Sequence, residues 1–201
     1  MFINMGRAYA LAQDGFVYAL GVGAEATWTL GTVYLARVPT ASVAEYGAYE
    51  YFTGTSGGEP RWSSDEADAT ALDGLRTSGQ ASAIFHEGTG RYLMLTSDAG
   101  PPDHVGVLYE APQPWGPWNA AGTLCFDLAC AAGGSQWADG KYIPGLISKD
   151  AGARHVYFTI SGGDDHYQLQ IGKLELETAE TAASGSWLGR MAGVLHARSR
   201  R

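Results

Sequence analysis

The chain of 201 residues has little positive charge, few cysteines and no long apolar run. Its 13 Lys and Arg face 21 Asp and Glu, for a formal net charge of −8. Four of the basic residues, Arg190, Arg198, Arg200 and Arg201, fall in the last dozen positions, which leaves 9 against 21 acids before residue 186, about −12. A nucleic-acid backbone is held by clustered Lys and Arg, so this balance excludes that class of partner and fits a neutral or cationic one, or an exported protein. No stretch approaches the roughly 18 apolar residues of a spanning helix, so no transmembrane segment is expected. The start, MFINMGRAY, lacks the basic region and apolar core of a signal peptide, which implies an intracellular protein or a true N-terminus further upstream. Only Cys125 and Cys130 are present. They form a local disulfide in an oxidising compartment or remain two thiols; no Cys or His spacing supplies the other donors of a zinc site. GxxxxGK[ST] and HExxH are both missing, and the Gly-rich loops do not open helices, which argues against phosphate cradling.

What is present points to strands. Apolar residues make up 45%, and Gly at 28, Tyr at 11 and Trp at 6 suit many short strands joined by tight turns. Phe2 to Tyr9 reads as a strand, Gln13-Asp14-Gly15 as a turn, and Phe16–Leu20, Thr32–Val38 and Tyr49–Thr53 as three further strands. Ser42 with Glu45 matches a capping box and predicts a single helical turn. Residues 54–79 read as a long polar connection. The pattern restarts at Gln80–Phe85, Arg91–Thr96, Val105–Glu110 and Trp118–Leu124. It restarts again after residues 125–140, at Lys141–Ser148, Arg154–Ile160 and Tyr167–Leu176. FVYAL, YLMLT and VYFTI occupy the same phase, about 75 and then about 65 residues apart. The reading is an all-β protein, a β-propeller of four-stranded antiparallel blades with about three present (about 1–54, 79–124 and 140–177). Residues 1–180 form the partial propeller and 181–201 a basic tail with helical spacing of its apolar residues. In VGVLYEAPQPWGPW, three prolines exclude the middle from a central ladder, and Trp115 and Trp118 are expected to pin this connection to a neighbouring sheet.

Blade geometry sorts the polar residues. Asp14, Glu87 and Asp150 fall in turns on the far face, where turn chemistry accounts for them. Glu25, Asp98, Asp103, Asp164 and Asp165 fall in loops on the ligand face, and Asp65, Glu66, Asp68, Asp73, Asp127 and Asp139 in connections that would surround a funnel mouth. Glycoside hydrolysis needs two carboxylates across the scissile bond, roughly 5–5.5 Å apart for retention or roughly 6.5–9.5 Å for inversion. Asp98, Asp103, Asp164 and Asp165 are the catalytic candidates; the alternative for each is a solvated loop acid. Asp164-Asp165-His166 is the densest cluster and could hold Ca²⁺, but adjacent side chains diverge in an extended loop, so no cofactor and no metal is expected. Asn4, Arg7, Gln80, Ser82, Lys141 and Tyr142 would line a central channel suited to sugar hydroxyls. Trp28, Trp62 and Trp137, placed in ligand-face loops, and His166 complete the substrate-binding set; the alternative for the indoles is core packing.

At AYALAQDGFVYALG, VYLARVP, AYEYFTG, RYLMLTS, LYEAPQPWGPW and YFTISGGDDHYQLQ, about residues 2–177 resemble a family of bacterial secreted five-bladed propellers long carried as a domain of unknown function. Some of its members have been described as endo-D-arabinanases acting on mycobacterial arabinan. The resemblance implies a glycoside hydrolase of extracellular or cell-envelope location, monomeric when the propeller is whole, with a polysaccharide or oligosaccharide as partner. It also implies about five blades where three are counted, and so a fragment or a truncated, inactive product. A key carboxylate on the family's first inner strand would then be missing, and no catalytic residue is carried over. The alternatives are a non-catalytic glycan-binding module and a structural interaction propeller.

Overall fold

The computed structural model describes residues 1–23, 30–97, 105–125, 140–150, 153–162 and 168–176. Those residues build an all-β protein with three antiparallel sheets, and no sheet closes on itself among them. The first sheet orders β1 (Phe16–Val22), β2 (Gly31–Pro39), β3 (Glu50–Ser56) and β4 (Glu59–Ser63), with β5 (Ala71–Thr77) also on β2. The second is the meander β6 (Ala81–His86), β7 (Arg91–Ser97), β8 (Val105–Ala111) and β9 (Asn119–Cys125). The third is β10 (Gly140–Ile147), β11 (His155–Gly162) and β12 (Gln168–Glu175).

The second and third sheets fall within a residue or two of the ranges read from the sequence. The first sheet departs from its reading in three places. Residues 54–79 are not a connection, because they carry β4 and β5. Gly57 and Gly58, at φ 62° and 88°, close the β3–β4 hairpin in a conformation that side chains disfavour. β3 pairs with β2 at Ala36 and Arg37, whereas β5 pairs at Gly31, Thr32 and Tyr34, so two strands share one edge of a nine-residue strand. The second departure is the N-terminus. Phe2 to Tyr9 is not one strand: residues 1–5 lie between β1 and β6, and Arg7–Tyr9 is a 3₁₀ turn. Ile3 N–H donates to Tyr18 O at 2.9 Å on one side, and Asn4 N–H to Ala83 O at 2.8 Å on the other, so this segment stitches the first two sheets together. The third is the capping box. Ser42 caps nothing with its side chain; Thr40–Ser42 and Tyr46–Ala48 are separate 3₁₀ turns linked by Glu45 N–H donating to Ser42 O.

Two apolar layers hold the sheets face to face. Tyr18, Leu20, Val33, Leu35, Phe52, Leu72 and Leu75 of the first sheet pack on Ala83, Phe85, Tyr92, Met94, Tyr109 and Trp118 of the second region. The alternate residues Ile84, Leu93, Leu95 and Leu108 face Leu146, Val156, Phe158, Ile160 and Leu174 of the third sheet. The middle sheet is therefore buried on both faces, which explains the unbroken apolar run in RYLMLT, whereas VYLAR alternates because β2 buries one face. The expected pin is observed. Trp115 packs against Tyr18 and Trp62 with ring centroids 6.4 and 6.5 Å away, and the buried Trp118 indole donates to Pro114 O at 3.1 Å. Where β5 passes β9, a Cβ on Gly74 (φ +74°) would lie 2.5 Å from Trp118 O, so glycine is required there. Among the described residues no helix is long and apolar enough to cross a membrane.

Candidate functional site

Several candidates from the sequence lie outside the described residues: Asp98, Asp103, Asp164, Asp165, His166, Trp28 and Trp137, with Glu25, Asp127, Asp139, Cys130 and the tail. Lys141 and Tyr142 lie on β10, described in backbone only, with Tyr142 paired to Ser161. Of the remaining channel candidates, Asn4 spends its Oδ1 accepting from Gly6 N–H at 2.8 Å, and Arg7 sits exposed on the 3₁₀ turn. Ser82 Oγ accepts from Leu146 N–H at 3.0 Å, a strut between β6 and β10. Gln80 contributes its carbonyl to the Thr96 hydroxyl at 3.0 Å, and Thr96 Oγ1 lies 2.9 Å from Thr77 Oγ1, a buried pair joining β5 to β7.

Trp62 is not in a loop. It lies on β4, its ring 5.8 Å from Phe52 and 6.1 Å from Tyr18, and the Arg37 guanidinium stacks 4.2 Å from it and 4.2 Å from Phe16. Glu50 holds Arg37 at 2.8 Å. The indole therefore serves core packing, because its strand turns it into the aromatic layer. Turn chemistry accounts for Asp14 as expected: Oδ1 accepts from Phe16 N–H at 2.9 Å. Oδ2 goes further and accepts from the Tyr18 hydroxyl at 2.7 Å. Burial first, then the Asp14 contact, pushes the Tyr18 phenol far above its ordinary range.

A second polar cluster occupies the outward face of the first sheet, opposite its core. A crevice of about 370 Å³ is lined by Gly21 and Val22 of β1, Tyr34, Leu35 and Ala36 of β2, Tyr51 of β3, and Glu66, Ala67 and Ala69 of the following turn. Ala36 and Tyr51 are cross-strand partners, and alternation places Tyr34 beside them. Glu66 sits on a turn locked from within. Asp65 Oδ1 accepts from Ala67 N–H at 2.9 Å, Asp65 N–H donates to Ser63 Oγ at 3.0 Å, the Ser63 hydroxyl donates to Asp68 Oδ2 at 2.6 Å, and Thr70 N–H donates to Phe52 O at 2.8 Å. Asp65 and Asp68 are thus structural. Glu66 Oε2 accepts from the Tyr46 hydroxyl at 3.5 Å, and Tyr46 is itself 78% exposed. The Tyr51 phenol is pushed up to about 12 by desolvation, then by its hydrogen bond to Tyr46 and the Glu66 charge, and stays a donor at neutral pH. The sequence reading singled out neither tyrosine, although the alternation in VYLAR and EYF is a signal that sets both outward; the arrival of Glu66 had no sequence signal, because it depends on β4 and β5, which the sequence reading had assigned to a connection.

Among the described residues no group of three or more His, Cys, Asp or Glu is placed to hold a metal ion. A model of the family described as Domain of unknown function (DUF4185) matches residues 3–171. No curated protein matches the chain.

Proposed function

The chain belongs to the DUF4185 family, and from that premise we propose that it is a carbohydrate-active β-propeller segment of glycoside-hydrolase type, endo-D-arabinanase-like, acting on cell-wall or extracellular polysaccharide. Its three sheets are three blades, and the partial propeller fills residues 1–180. One observation carries the reading. Residues 1–5 run antiparallel to β1 and parallel to β6. With the pairings within each sheet, this brings the C-terminal ends of β1, β5 and β7 to the same edge as the N-terminal ends of β2, β6 and β8. The strand ends flanking residues 24–29 and 98–104, which carry Glu25, Trp28, Asp98 and Asp103, therefore share one edge of the stack. That edge supports a ligand face furnished with carboxylates from successive blades, as hydrolysis requires. One acid protonates the leaving oxygen, and a second carboxylate attacks or activates water.

The test is release of reducing ends from mycobacterial arabinogalactan by the full chain and by alanine variants at Asp98, Asp103, Asp164 and Asp165. The proposal expects release with acid and basic limbs in its pH profile, reduced at least about a hundredfold in two of the four variants. Undiminished release in all four would overturn the assignment of these carboxylates. Binding of the polysaccharide with no release would replace hydrolysis by a non-catalytic glycan-binding role.

A further inference from the structure

We infer that the buried hydroxyl pair Thr77–Thr96 is a positioning strut at the shared strand-end edge. It holds the strand end that carries Asp98 and Asp103 in register with the strand end that carries Glu25 and Trp28. The inference rests on the hydrolase reading above and deepens it by naming positioning residues for that site.

The pair ends an apolar layer on a polar contact. Alternation puts Thr77 on the same face of β5 as Leu75, and Thr96 on the same face of β7 as Met94; Leu75 and Met94 are buried between the first two sheets. Where that layer reaches the edge, the two hydroxyls meet at 2.9 Å, and both threonines are fully buried. A hydroxyl in such a place is costly unless it is bonded, and both are bonded. Gly79 N–H donates to Thr77 Oγ1 at 3.1 Å, and the Thr96 hydroxyl donates to Gln80 O at 3.0 Å. The Thr77 hydroxyl proton is thus directed at Thr96 Oγ1, and the hydrogen bonds run one way from Gly79 to Gln80. Valine would fill the same space with no polar group to satisfy, so apolar packing alone does not call for threonine at either position.

What the pair joins gives it its role. Thr77 ends β5 and is paired with Gly31, the first residue of β2, just downstream of residues 24–29. Thr96 precedes Ser97, the last residue of β7, just upstream of residues 98–104, and is paired with Ala81 of β6 and Val107 of β8. One contact therefore fixes the stems of both segments at one level of the stack. Hydrolysis depends on carboxylate spacing, roughly 5–5.5 Å for retention and roughly 6.5–9.5 Å for inversion. A slip of about one ångström between the stems is enough to spoil it. A hydrogen bond resists that slip because it is directional, whereas apolar packing is not.

The experiment measures kcat and KM of the full chain for reducing-end release from soluble arabinan prepared from mycobacterial arabinogalactan. The proteins are the unaltered chain, Thr77→Val, Thr96→Val, Thr77→Ser, Thr96→Ser and, as a control on the third sheet, Thr159→Val. Each is assayed well below its own measured melting temperature. Thr→Val keeps the shape and removes the hydroxyl; Thr→Ser keeps the hydroxyl and removes a methyl. The expected result is kcat about tenfold lower for Thr77→Val and Thr96→Val with KM within about twofold, and kcat retained in both Thr→Ser variants and in the control. Thr77→Ala or Thr96→Ala replaces a Thr→Val variant that fails to fold, with the same expectation. Unchanged kcat without the hydroxyls, an equal loss in the Thr→Ser variants or the control, or a loss confined to KM would overturn the strut while leaving the hydrolase reading standing. No release by the unaltered protein would overturn the hydrolase reading and the strut together.

Discussion

His86 is the residue whose replacement tests the joint between the second and third sheets most directly. Its side chain is fully buried at the end of β6. Thr89 N–H points at Nδ1 from 3.2 Å, so Nδ1 carries the lone pair and the proton sits on Nε2, which donates to His155 O at 2.9 Å. One imidazole thus ties β6 to the start of β11, and only the neutral tautomer satisfies both contacts. Replacing His86 by Ala leaves the His155 carbonyl without its donor, about 1–3 kcal/mol, while Thr89 N–H keeps a fallback in His86 O at 3.3 Å. With the vacated volume in a packed layer the total is about 3 kcal/mol. Protonation acts on the same joint. Burial holds the His86 pKa below its ordinary 6.5, only partly offset by the bond to the His155 carbonyl. The unfolded chain therefore binds the proton more readily than the folded one. The contribution of neutral His86 is complete above the unfolded pKa of 6.5, declines as pH falls below it, and is gone once pH has passed the folded value. The slope cannot exceed about 1.4 kcal/mol per pH unit for one proton. Groups facing His86 are Thr89 and His155, whose ring stacks edge-on against Tyr157 at 5.1 Å. The assay is urea unfolding followed by tryptophan fluorescence at about pH 7.5 and about pH 5.5, for the unaltered chain and for His86→Gln and His86→Ala. The unaltered chain should lose more stability on acidification than His86→Gln. An equal loss in both, or a cost below about 1 kcal/mol for His86→Ala, would refute the reasoning.

Two further substitutions test the packing between the first two sheets. Gly74→Ala combines φ +74° with a Cβ 2.5 Å from Trp118 O, and should cost about 2 kcal/mol or more in denaturant unfolding; a neutral result would mean that β5 and β9 do not approach as described. Trp115→Ala removes the ring that the proline connection lays against Tyr18 and Trp62; it should cost about 3–5 kcal/mol and shift the emission of the remaining tryptophans, and a loss under about 1 kcal/mol would show that the connection is not pinned by this ring.

Much of the fold was readable because strand alternation is a local property. RYLMLT and VYFTI announce β7 and β11 from their own residues, and Pro112, Pro114 and Pro117 announce the β8–β9 connection because proline constrains backbone wherever it stands. β4 and β5 escaped notice because EPRWS and ALDGLRT contain proline, charge and glycine at half their positions, and β5 is a strand only through its pairing with the distant β2. The identical weakness misplaced Trp62, whose indole looks loop-borne until β4 folds it against Phe52 and Arg37. Ser42 and Glu45 match a capping box in type and spacing, but the chain between β2 and β3 turns too soon for a helix to follow.

Composition, charge sign and period thus determined on their own that this is an all-β acidic chain of serial antiparallel sheets. The tertiary structure alone decided that His86 would meet the His155 carbonyl, that Ser82 would bind Leu146 N–H, and that Glu66 would stand over Tyr34 and Tyr51. The physical reason is range: alternation and turn preference act within a few residues, whereas a site gathers groups whose approach is fixed by which faces bury each other when the sheets stack.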